Sequence, residues 1–314
     1  MKTNKEKYQA FCHNQPIPIF SQYWWLDAVC VDAEWDVVLI EKGGEVVASM
    51  PYYIKKKGPF KLITMPPLTQ TMGPFLTYPE GQKYAKKLAY EKEVMTNLID
   101  QLPNVDYFCQ NFHPSITNWL PFYWKGFDQS TRYTYQFSDE IADMDAFQSN
   151  IKTDIKKASK IAHLESVDSV NEIWHCLTKT FERQNKKPPY SKSFLENLEK
   201  QVQTKHASIK LVAIDSNGHI HAAIYLVHFN STMYYLIGGG DPKYRNSGAT
   251  SWLINEALKL AKHRQYSFDF EGSMIEPIER FFRAFGAIQT PYFQIKKVNS
   301  TLLKCREFLT ELKK

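Results

Sequence analysis

The sequence has no long apolar run and few cysteines, and both absences exclude classes of protein. No segment approaches the roughly 20 apolar residues that a membrane-spanning helix requires, so no membrane span is expected. The cysteines lie far apart without a C-x-x-C pair, which argues against a zinc site or a disulfide framework. They are Cys12, Cys30, Cys109, Cys176 and Cys305. We therefore expect reduced thiols and no metal.

An excess of charge of one sign is also lacking. The 314 residues carry a formal net charge of +6, which fits an anionic ligand such as a nucleotide cofactor without demanding nucleic acid, and no DNA partner is expected. The opening stretch MKTNKEKYQAFCHNQ is polar and lacks an apolar signal core, which predicts a cytoplasmic protein. A hydrophobic content of 43% is ample for buried cores, and the length favours two domains.

Strand and helix signals recur in the same order in both halves of the chain. WDVVLIEKGGEVVASMPYYI predicts a hairpin with Gly43-Gly44 at its turn, and IKLVAIDSNGHIHAAIYLVHF predicts one with Asn217-Gly218. Each half follows the pattern β-β-β-α-β-α-β, and a helix at about residues 144–162 links them. This predicts an α/β (α+β) protein with tandem domains at residues 1–140 and 141–314. The alternative is that any two α/β halves look vaguely alike.

A candidate anion site precedes the helix ATSWLINEALKLAKH of the second half. The first N–H groups of a helix have no intrahelical partner and lie at the positive end of its dipole, so they bind anions. The candidate ligand-binding residues are Arg245, Asn246, Ser247, Gly248, Ala249 and Thr250. Gly248 would let a pyrophosphate approach the backbone closely, and Arg245 would add charge-assisted hydrogen bonds. The alternative is a plain helix start with Ser247 as N-cap.

The stretch from about Ile209 to Val298 resembles the GNAT (N-acetyltransferase) superfamily. The resemblance rests on Arg245-x-x-Gly248, on the flanking strands and helices, and on a helix that ends in an aromatic residue, three residues and a glycine. The two-domain arrangement resembles the Fem-type branch, the peptidoglycan aminoacyltransferases, over most of the chain. The resemblance implies two tandem GNAT-like domains, each a mixed, mostly antiparallel sheet flanked by helices. The first would be a degenerate copy on the acceptor side.

The resemblance also implies a chemistry. The loop around Gly248 would bind the pyrophosphate of an acyl-coenzyme A such as acetyl-coenzyme A. The acceptor would be an amine on a small molecule or a cell-envelope precursor, and aminoacyl-tRNA is an alternative donor. Two positions depart from the family pattern: Thr250 stands where glycine or alanine is usual, and Phe282 where many members have a tyrosine acid. A non-catalytic GNAT-like binding protein is therefore a further alternative.

Candidate catalytic groups lie near this loop. Alternation along FDFEGS puts Asp269 and Glu271 on one side of a strand, with Glu271 at its carboxyl end as a candidate base. A structural pair or cap is the alternative for Asp269. Tyr244 is a second candidate acid, with packing as its alternative. His219 and His221 share a strand face, but they have no third ligand nearby, so metal binding is not expected.

Two further segments bear on the acceptor and donor. TMPPLTQTMGPF is a long, proline- and glycine-rich loop, and such loops are often functional. In the Fem-type layout it would hold the acceptor, with Thr69, Gln70, Thr71 and Gly73 as candidate substrate-binding residues. The linking helix carries Lys152, Lys156 and Lys160 on one stripe, which is either a solvated face or an attractor for a phosphorylated acceptor or a tRNA.

Overall fold

The computed structural model describes residues 2–138 and 140–311. Its helices are α1 (Asn4–Asn14), α2 (Tyr23–Val29), α3 (Tyr84–Asp100), α4 (Leu120–Trp124), α5 (Ser149–Ile161), α6 (Asn171–Glu182), α7 (Lys192–Thr204), α8 (Ala249–His263), α9 (Glu276–Arg283) and α10 (Thr301–Glu311). Its strands are β1 (Glu34–Lys42), β2 (Glu45–Lys57), β3 (Phe60–Thr64), β4 (Phe75–Leu76), β5 (Tyr107–Asn111), β6 (Asp128–Phe137), β7 (His163–Ser166), β8 (Ser208–Ile214), β9 (Ile220–Phe229), β10 (Thr232–Gly240), β11 (Ser267–Asp269) and β12 (Ile288–Val298).

The chain forms two compact units. Unit 1 contains the residues up to Arg132 together with those from Pro291 onward. Its strands follow the order β1-β2-β3-β5-β12, and β4 also pairs with β2. The β3–β5 pair is parallel and the other pairs in this order are antiparallel. Val94, Met95 and Leu98 bring the apolar face of α3 into the core.

Unit 2 contains residues 133–290. Its strands follow the order β6-β11-β10-β9-β8-β7. Only the β10–β11 pair is parallel among the pairs of this order. α8 is apolar around most of its circumference, and its buried Leu253, Ile254 and Leu258 share one core with the sheet residues Ile224 and Phe268.

The predicted fold class is confirmed, because each unit has a mixed, mostly antiparallel sheet flanked by helices. Both predicted hairpins are present, with Gly43 and Gly44 joining β1 to β2 and Gly218 at the turn between β8 and β9. The linking helix is shorter than predicted: a 3₁₀ turn spans Met144–Ala146, and α5 begins at Ser149.

The unit boundaries differ from the predicted division at residues 140 and 141. The sequence assigned β6 to the first half and β12 to the second. In the structure, Gln136 and Phe137 of β6 pair with β11 in unit 2, whereas β12 pairs with β5 in unit 1. The last strand of each repeat thus lies in the sheet of the other unit. The alternation of residues along a single strand does not indicate which sheet the strand joins.

Candidate functional site

A cavity of unit 2 opens where β10 ends and α8 begins. It has a volume of about 480 Å³. Its walls come from the second half of β10, the 3₁₀ turn Pro242–Ser247, the first turn of α8 and the end of α6. We call it the β10 cavity. The polar and aromatic side chains on its wall include Thr180, Arg183, His221, Tyr235, Tyr244 and Arg245.

β10 parts from β11 before it reaches the cavity. The parallel pairs between the two strands cover Thr232–Tyr234 of β10, whereas β10 continues to Gly240. Its pairing with β9 shifts register between Tyr235 and Ile237. A bulge of this kind bends a strand and increases its local twist. The second half of β10 therefore borders the cavity rather than β11.

The glycines that end β10 let a helix pack directly on the strand. A Cβ on Gly239 would lie 2.7 Å from the backbone carbonyl of Cys176 in α6, a distance that real Cβ atoms do not reach. Thr180, one turn further along α6, accepts a hydrogen bond from the backbone N–H of Gly240 at 3.2 Å. α6 thereby forms one wall of the cavity.

Gly248 is the residue from which α8 starts. Its φ of +79° lies in the left-handed region, which glycine adopts without strain. A Cβ at this position would overlap the backbone of Asp154 in α5. From the sequence, glycine was expected here because a phosphate would approach the backbone closely. The structure shows an independent reason, because α5 packs on the loop at this point.

Hydrogen bonds hold the rest of the loop. Ser247 Oγ accepts from the Ala249 N–H at 3.2 Å, although Gly248 rather than Ser247 is the N-cap residue. Lys157 of α5 donates to the Asn246 carbonyl at 2.5 Å. α5 therefore supports the loop on two sides, and the loop and the first turn of α8 line the cavity.

Positive charge at the cavity comes from the start of α8 and from two arginines. Arg245 is exposed on the loop, and Arg183 caps the C-terminal end of α6. Asp154 and Asp241 also line the cavity, but each already accepts a hydrogen bond from the loop or from α8. Sequence reasoning missed Arg183, because only tertiary packing brings the end of α6 to this loop. Two guanidinium groups beside a helix N-terminus favour a phosphate-bearing ligand.

Thr250 also lines the cavity. It is half-buried in the first turn of α8, and its Oγ1 lies beside the Gly240 backbone. The side chain that departs from the family pattern therefore faces the space where a ligand phosphate would meet the helix.

Tyr244 lines the cavity but is held by its neighbours. Its ring stacks on that of His221, with centroids 4.1 Å apart and planes 7° apart, and His219 stacks at 5.6 Å. Asp215 contacts both histidines, at 3.0 Å from His219 Nδ1 and 3.4 Å from His221 Nε2. Hydrogen bonds, first of all from the His219 backbone N–H, hold the pKa of Asp215 well below its ordinary value. Burial raises the pKa of Tyr244. This geometry is that of a packed aromatic group, which is the alternative weighed for Tyr244.

Asp269 is buried and fully engaged. Its Oδ1 accepts from Thr134 Oγ1 at 2.5 Å and from the Glu271 N–H at 2.7 Å, and its Oδ2 accepts from Gln136 Nε2 at 2.7 Å. Burial raises the pKa of Asp269. With three donors satisfied by one carboxylate, the position of Asp269 is that of a structural pair, which ties the end of β11 to β6.

Glu271 follows β11 at the mouth of the gap where β10 and β11 part. Its φ of +59° is unusual for a residue with a side chain, and the bond from its N–H to Asp269 stabilises the turn. Burial, followed by the charge of Asp269, raises the pKa of Glu271 well above its ordinary value. Neither carboxylate is among the residues that line the β10 cavity. The predicted alternation on one strand does not extend to Glu271, because β11 ends at Asp269.

The predicted acceptor loop of unit 1 is packed. Thr69 and Thr71 are buried, and Thr69 Oγ1 accepts from Trp25 Nε1 at 3.1 Å. Gly73 has a φ of +94°, and a Cβ there would overlap the ring of Phe112. The Gln70 carbonyl accepts from the Asn111 side chain at 3.0 Å. These contacts explain the residue types by packing, and an acceptor-binding role for them stays a prediction.

Within residues 2–138 and 140–311, no group of three or more histidine, cysteine or carboxylate side chains is arranged to hold a metal ion. No helix of that part of the chain is both long and apolar enough to cross a bilayer.

Comparisons with known proteins agree with this architecture. Residues 146–281 match the family model of the acetyltransferase (GNAT) domain. No curated protein matches the chain. Similar solved structures are FemX (12% identity, 93% of this chain and 96% of that one, TM-score 0.68), L-PGS from Bacillus licheniformis (12%, 98% and 96%, 0.57) and a tandem GNAT protein from the clavulanic acid biosynthesis pathway, without acetyl-coenzyme A (9%, 93% and 92%, 0.53).

The matched segment contains the β10 cavity and both of its arginines. Residues 146–281 therefore form a GNAT domain, which has a GNAT-type acyltransferase fold. The fold of the chain is similar to those of FemX and of the tandem GNAT protein over most of its length.

Proposed function

We propose that the chain transfers an acyl group from an acyl-coenzyme A to an amine, with the donor bound in the β10 cavity. The observation that carries this proposal is the convergence of Arg183, Arg245 and the start of α8 on one cavity beside the parted strand β10. The diphosphate of the donor would lie against the loop residues 245–250. Its amide-bearing arm would follow the second half of β10, whose backbone offers hydrogen-bonding groups along the cavity.

Glu271 is the candidate base in this scheme. An amine acceptor must lose a proton, either before it attacks the thioester or while the amide forms. A carboxylate whose pKa is raised toward neutrality is suited to take that proton. Burial raises the pKa of Glu271 in that direction. Glu271 comes two residues after the last residue of β11 that pairs with β10, so it follows the point where the two strands part, although it does not line the β10 cavity.

Calorimetry tests the donor site. We expect acetyl-coenzyme A and coenzyme A to bind at micromolar concentration, and Arg245→Ala to weaken binding about tenfold or more, the value of one charge-assisted phosphate contact. Lys243→Ala is the matched control, because Lys243 carries the same charge in the same turn but does not line the cavity. Absence of binding to the unaltered protein would overturn the coenzyme A proposal. If both variants weakened coenzyme A binding equally, the role of Arg245 would be general charge attraction and not a specific phosphate contact.

Turnover tests the base. Thiol release from acetyl-coenzyme A would be followed with a panel of amines that includes amino sugars and amino-acid amides. We expect Glu271→Gln to lower kcat about 100-fold or more while the donor Kd changes little. Glu276→Gln, which alters an exposed glutamate five residues further along the chain, at the start of α9, is the control. Unchanged turnover in Glu271→Gln would remove Glu271 from the mechanism, and donor binding without any turnover would favour the non-catalytic alternative.

An aminoacyl-tRNA donor is the second candidate. Lys156 and Lys160 are exposed on α5, the helix that packs on the loop and touches it through Lys157. The fold shared with FemX and L-PGS is compatible with this reading. A filter-binding titration with aminoacylated tRNA distinguishes the donors: binding that falls steeply with salt and is lost in Lys156→Ala/Lys160→Ala would favour tRNA. Cell-envelope precursors and small amines would then be screened as acceptors, with whichever of the two donors binds.

A further inference from the structure

Unit 1 has a groove on the face of its sheet that is opposite the hydrophobic core. Ile63 of β3 and Phe108 of β5 belong to that core. Successive side chains of a strand point to opposite faces of a sheet, so the neighbouring Leu62 and Tyr107 point away from the core. These two residues and residues of α10 line a groove of about 660 Å³. We call it the α10 groove.

Much of the lining of the α10 groove is apolar. Phe60 and Leu62 lie two residues apart on β3, and Tyr107 of β5 is the pairing partner of Leu62. Leu303 of α10 also lines the groove. All four side chains are half-buried, so part of their apolar surface faces water. A concave site of this volume with apolar walls is typical of sites for small molecules.

The charged residues of the groove are basic. Lys57 comes from the end of β2, Lys296 from β12 and Arg306 from α10, three residues after Leu303. Lys296 Nζ lies 5.9 Å from the centre of the Tyr107 ring, so positive charge lies directly beside the apolar lining. Among the lining residues whose side chains the structure describes, none is acidic. A cleft lined by charge of one sign attracts ligands of the opposite sign.

We propose that the α10 groove binds an amphiphilic anion, a molecule with one apolar chain and a carboxylate or phosphate head. The chain would lie against Phe60, Leu62 and Leu303, and the head would meet Lys296 and Arg306. Long basic side chains cover apolar surface with their stems while their charged ends stay in water, so both parts of the ligand can be bound side by side.

Other ligand classes fit the groove less well. A nucleic-acid backbone would meet the basic residues but leave Phe60, Leu62 and Leu303 uncovered. A neutral apolar molecule would leave the positive charge without a partner. The site is also independent of the proposed donor site, because its lining residues belong to unit 1 and those of the β10 cavity belong to unit 2.

Calorimetry with simple probes tests the proposal. Octanoate, decanoate and dodecanoate would be titrated as monomers into the unaltered protein, with dodecanol as the uncharged analogue. We expect affinity to rise with chain length, by up to about fourfold for each additional buried methylene. Dodecanol should bind about tenfold more weakly than dodecanoate, because it cannot make the charge-assisted contact with the basic residues.

Two matched pairs of variants locate the site on α10. Arg306 and Lys304 are both exposed, but only Arg306 lines the groove, so Arg306→Glu should weaken dodecanoate binding about tenfold or more and Lys304→Glu should leave it nearly unchanged. Leu303→Asp should weaken it as strongly, whereas Leu302→Asp alters a side chain that is 72% exposed and does not line the groove. The first pair changes only exposed side chains, so its result does not depend on the packing of α10.

Three results would overturn the proposal. The first is failure of dodecanoate to bind, and the second is an affinity that does not depend on chain length or charge. The third is equal weakening by Arg306→Glu and Lys304→Glu, which would indicate general charge attraction. Sedimentation with vesicles of phosphatidylcholine and phosphatidylglycerol separates a free ligand from a bilayer. Capture by the vesicles without binding of monomeric dodecanoate would also contradict the groove as the site.

Discussion

The chain passes from a third strand to a long helix at two comparable places, and their structures differ. In unit 1, residues 65–83 join β3 to α3, and in unit 2, residues 241–248 join β10 to α8. The first segment buries Thr69 and Thr71 and packs Gly73 on an aromatic ring. The second lines a cavity and presents Arg245 beside a helix N-terminus.

The difference shows that this connection is packed in one repeat and lines a cavity in the other. α3 starts after Lys83 without a glycine or a side-chain cap, whereas α8 starts from Gly248 in the left-handed conformation. A repeated fold therefore does not repeat its site, because the site depends on the few residues that shape this connection.

The largest effect is expected at the strand that follows each helix. Asp269→Ala removes the acceptor of three buried hydrogen bonds, and we expect it to lower the free energy of unfolding by about 3 kcal/mol. Asn111→Ala, at the end of β5, removes the bond that Asn111 donates to the Gln70 carbonyl and the bond that it accepts from Gln294, and it is expected to cost about 1–2 kcal/mol. Urea denaturation measures both. If the two variants lost the same free energy of unfolding, the side-chain hydrogen bonds at the two strand ends would contribute equally to stability.

The two glycines that meet a neighbour give the next effect. Gly248→Ala and Gly73→Ala each add a Cβ where backbone or a ring already lies, at positive φ, and each should cost roughly 2 kcal/mol. Only Gly248→Ala should also weaken coenzyme A binding, about tenfold. Gly81→Ala, at positive φ in open space, is the control for strain alone, at about 1 kcal/mol. Lost donor affinity in Gly73→Ala would contradict the division of roles.

Glu271 provides a pH-dependent test within unit 2. Its pKa is raised in the folded state, so the folded protein holds a proton that the unfolded chain releases above its ordinary value of 4.5. Stability from this group is therefore complete below about pH 4.5 and is lost as the pH rises toward the folded pKa. We expect Glu271→Gln to be more stable than the unaltered protein at pH 7.5, by an amount on the order of 1 kcal/mol, and not at pH 4.5.

Urea denaturation at the two pH values measures this difference. Glu276→Gln, at an exposed position, should show no pH-dependent gain. An equal stability difference at both pH values would mean that the charge of Glu271 carries no cost in the folded state.

The smallest effect concerns the first turn of each helix. Thr250→Ala restores the small residue of the family pattern beside Gly240, and we expect coenzyme A to bind two- to threefold more tightly because the cavity widens at the phosphate end. Lys86→Ala, in the first turn of α3, should leave donor affinity unchanged, since Lys86 lies in the other unit. Calorimetry resolves the difference, and weaker binding in Thr250→Ala would show that the hydroxyl holds the donor.

Much of the fold was predictable because its signals are local. Glycine and asparagine-glycine turns mark both hairpins, and apolar residues at helical spacing mark α3 and α8. The loop before α8 was also recognisable, because Arg245 and Gly248 precede a helix directly. α1 was not predicted, since its sequence has no strong apolar period, and α10 was not predicted either.

The site was less predictable because its parts come from distant segments. Arg183 reaches the cavity from the end of α6, and Tyr235 owes its place to a bulge and to Gly238. Glu271 was expected on a strand, whereas the turn held by Asp269 sets its position. None of these relations has a period or spacing that a single sequence displays.

The sequence by itself determined the order of most strands and helices, the repeat, and the residue types of the loop at residues 245–250. Local propensity and alternation suffice for these, because they depend on neighbours a few residues away. Only the tertiary structure decided which strands complete each sheet, that α5 and α6 pack on glycines beside the cavity, and which phenol faces it. Those features depend on contacts between residues far apart in the chain, where packing and close approach of backbones override local preference.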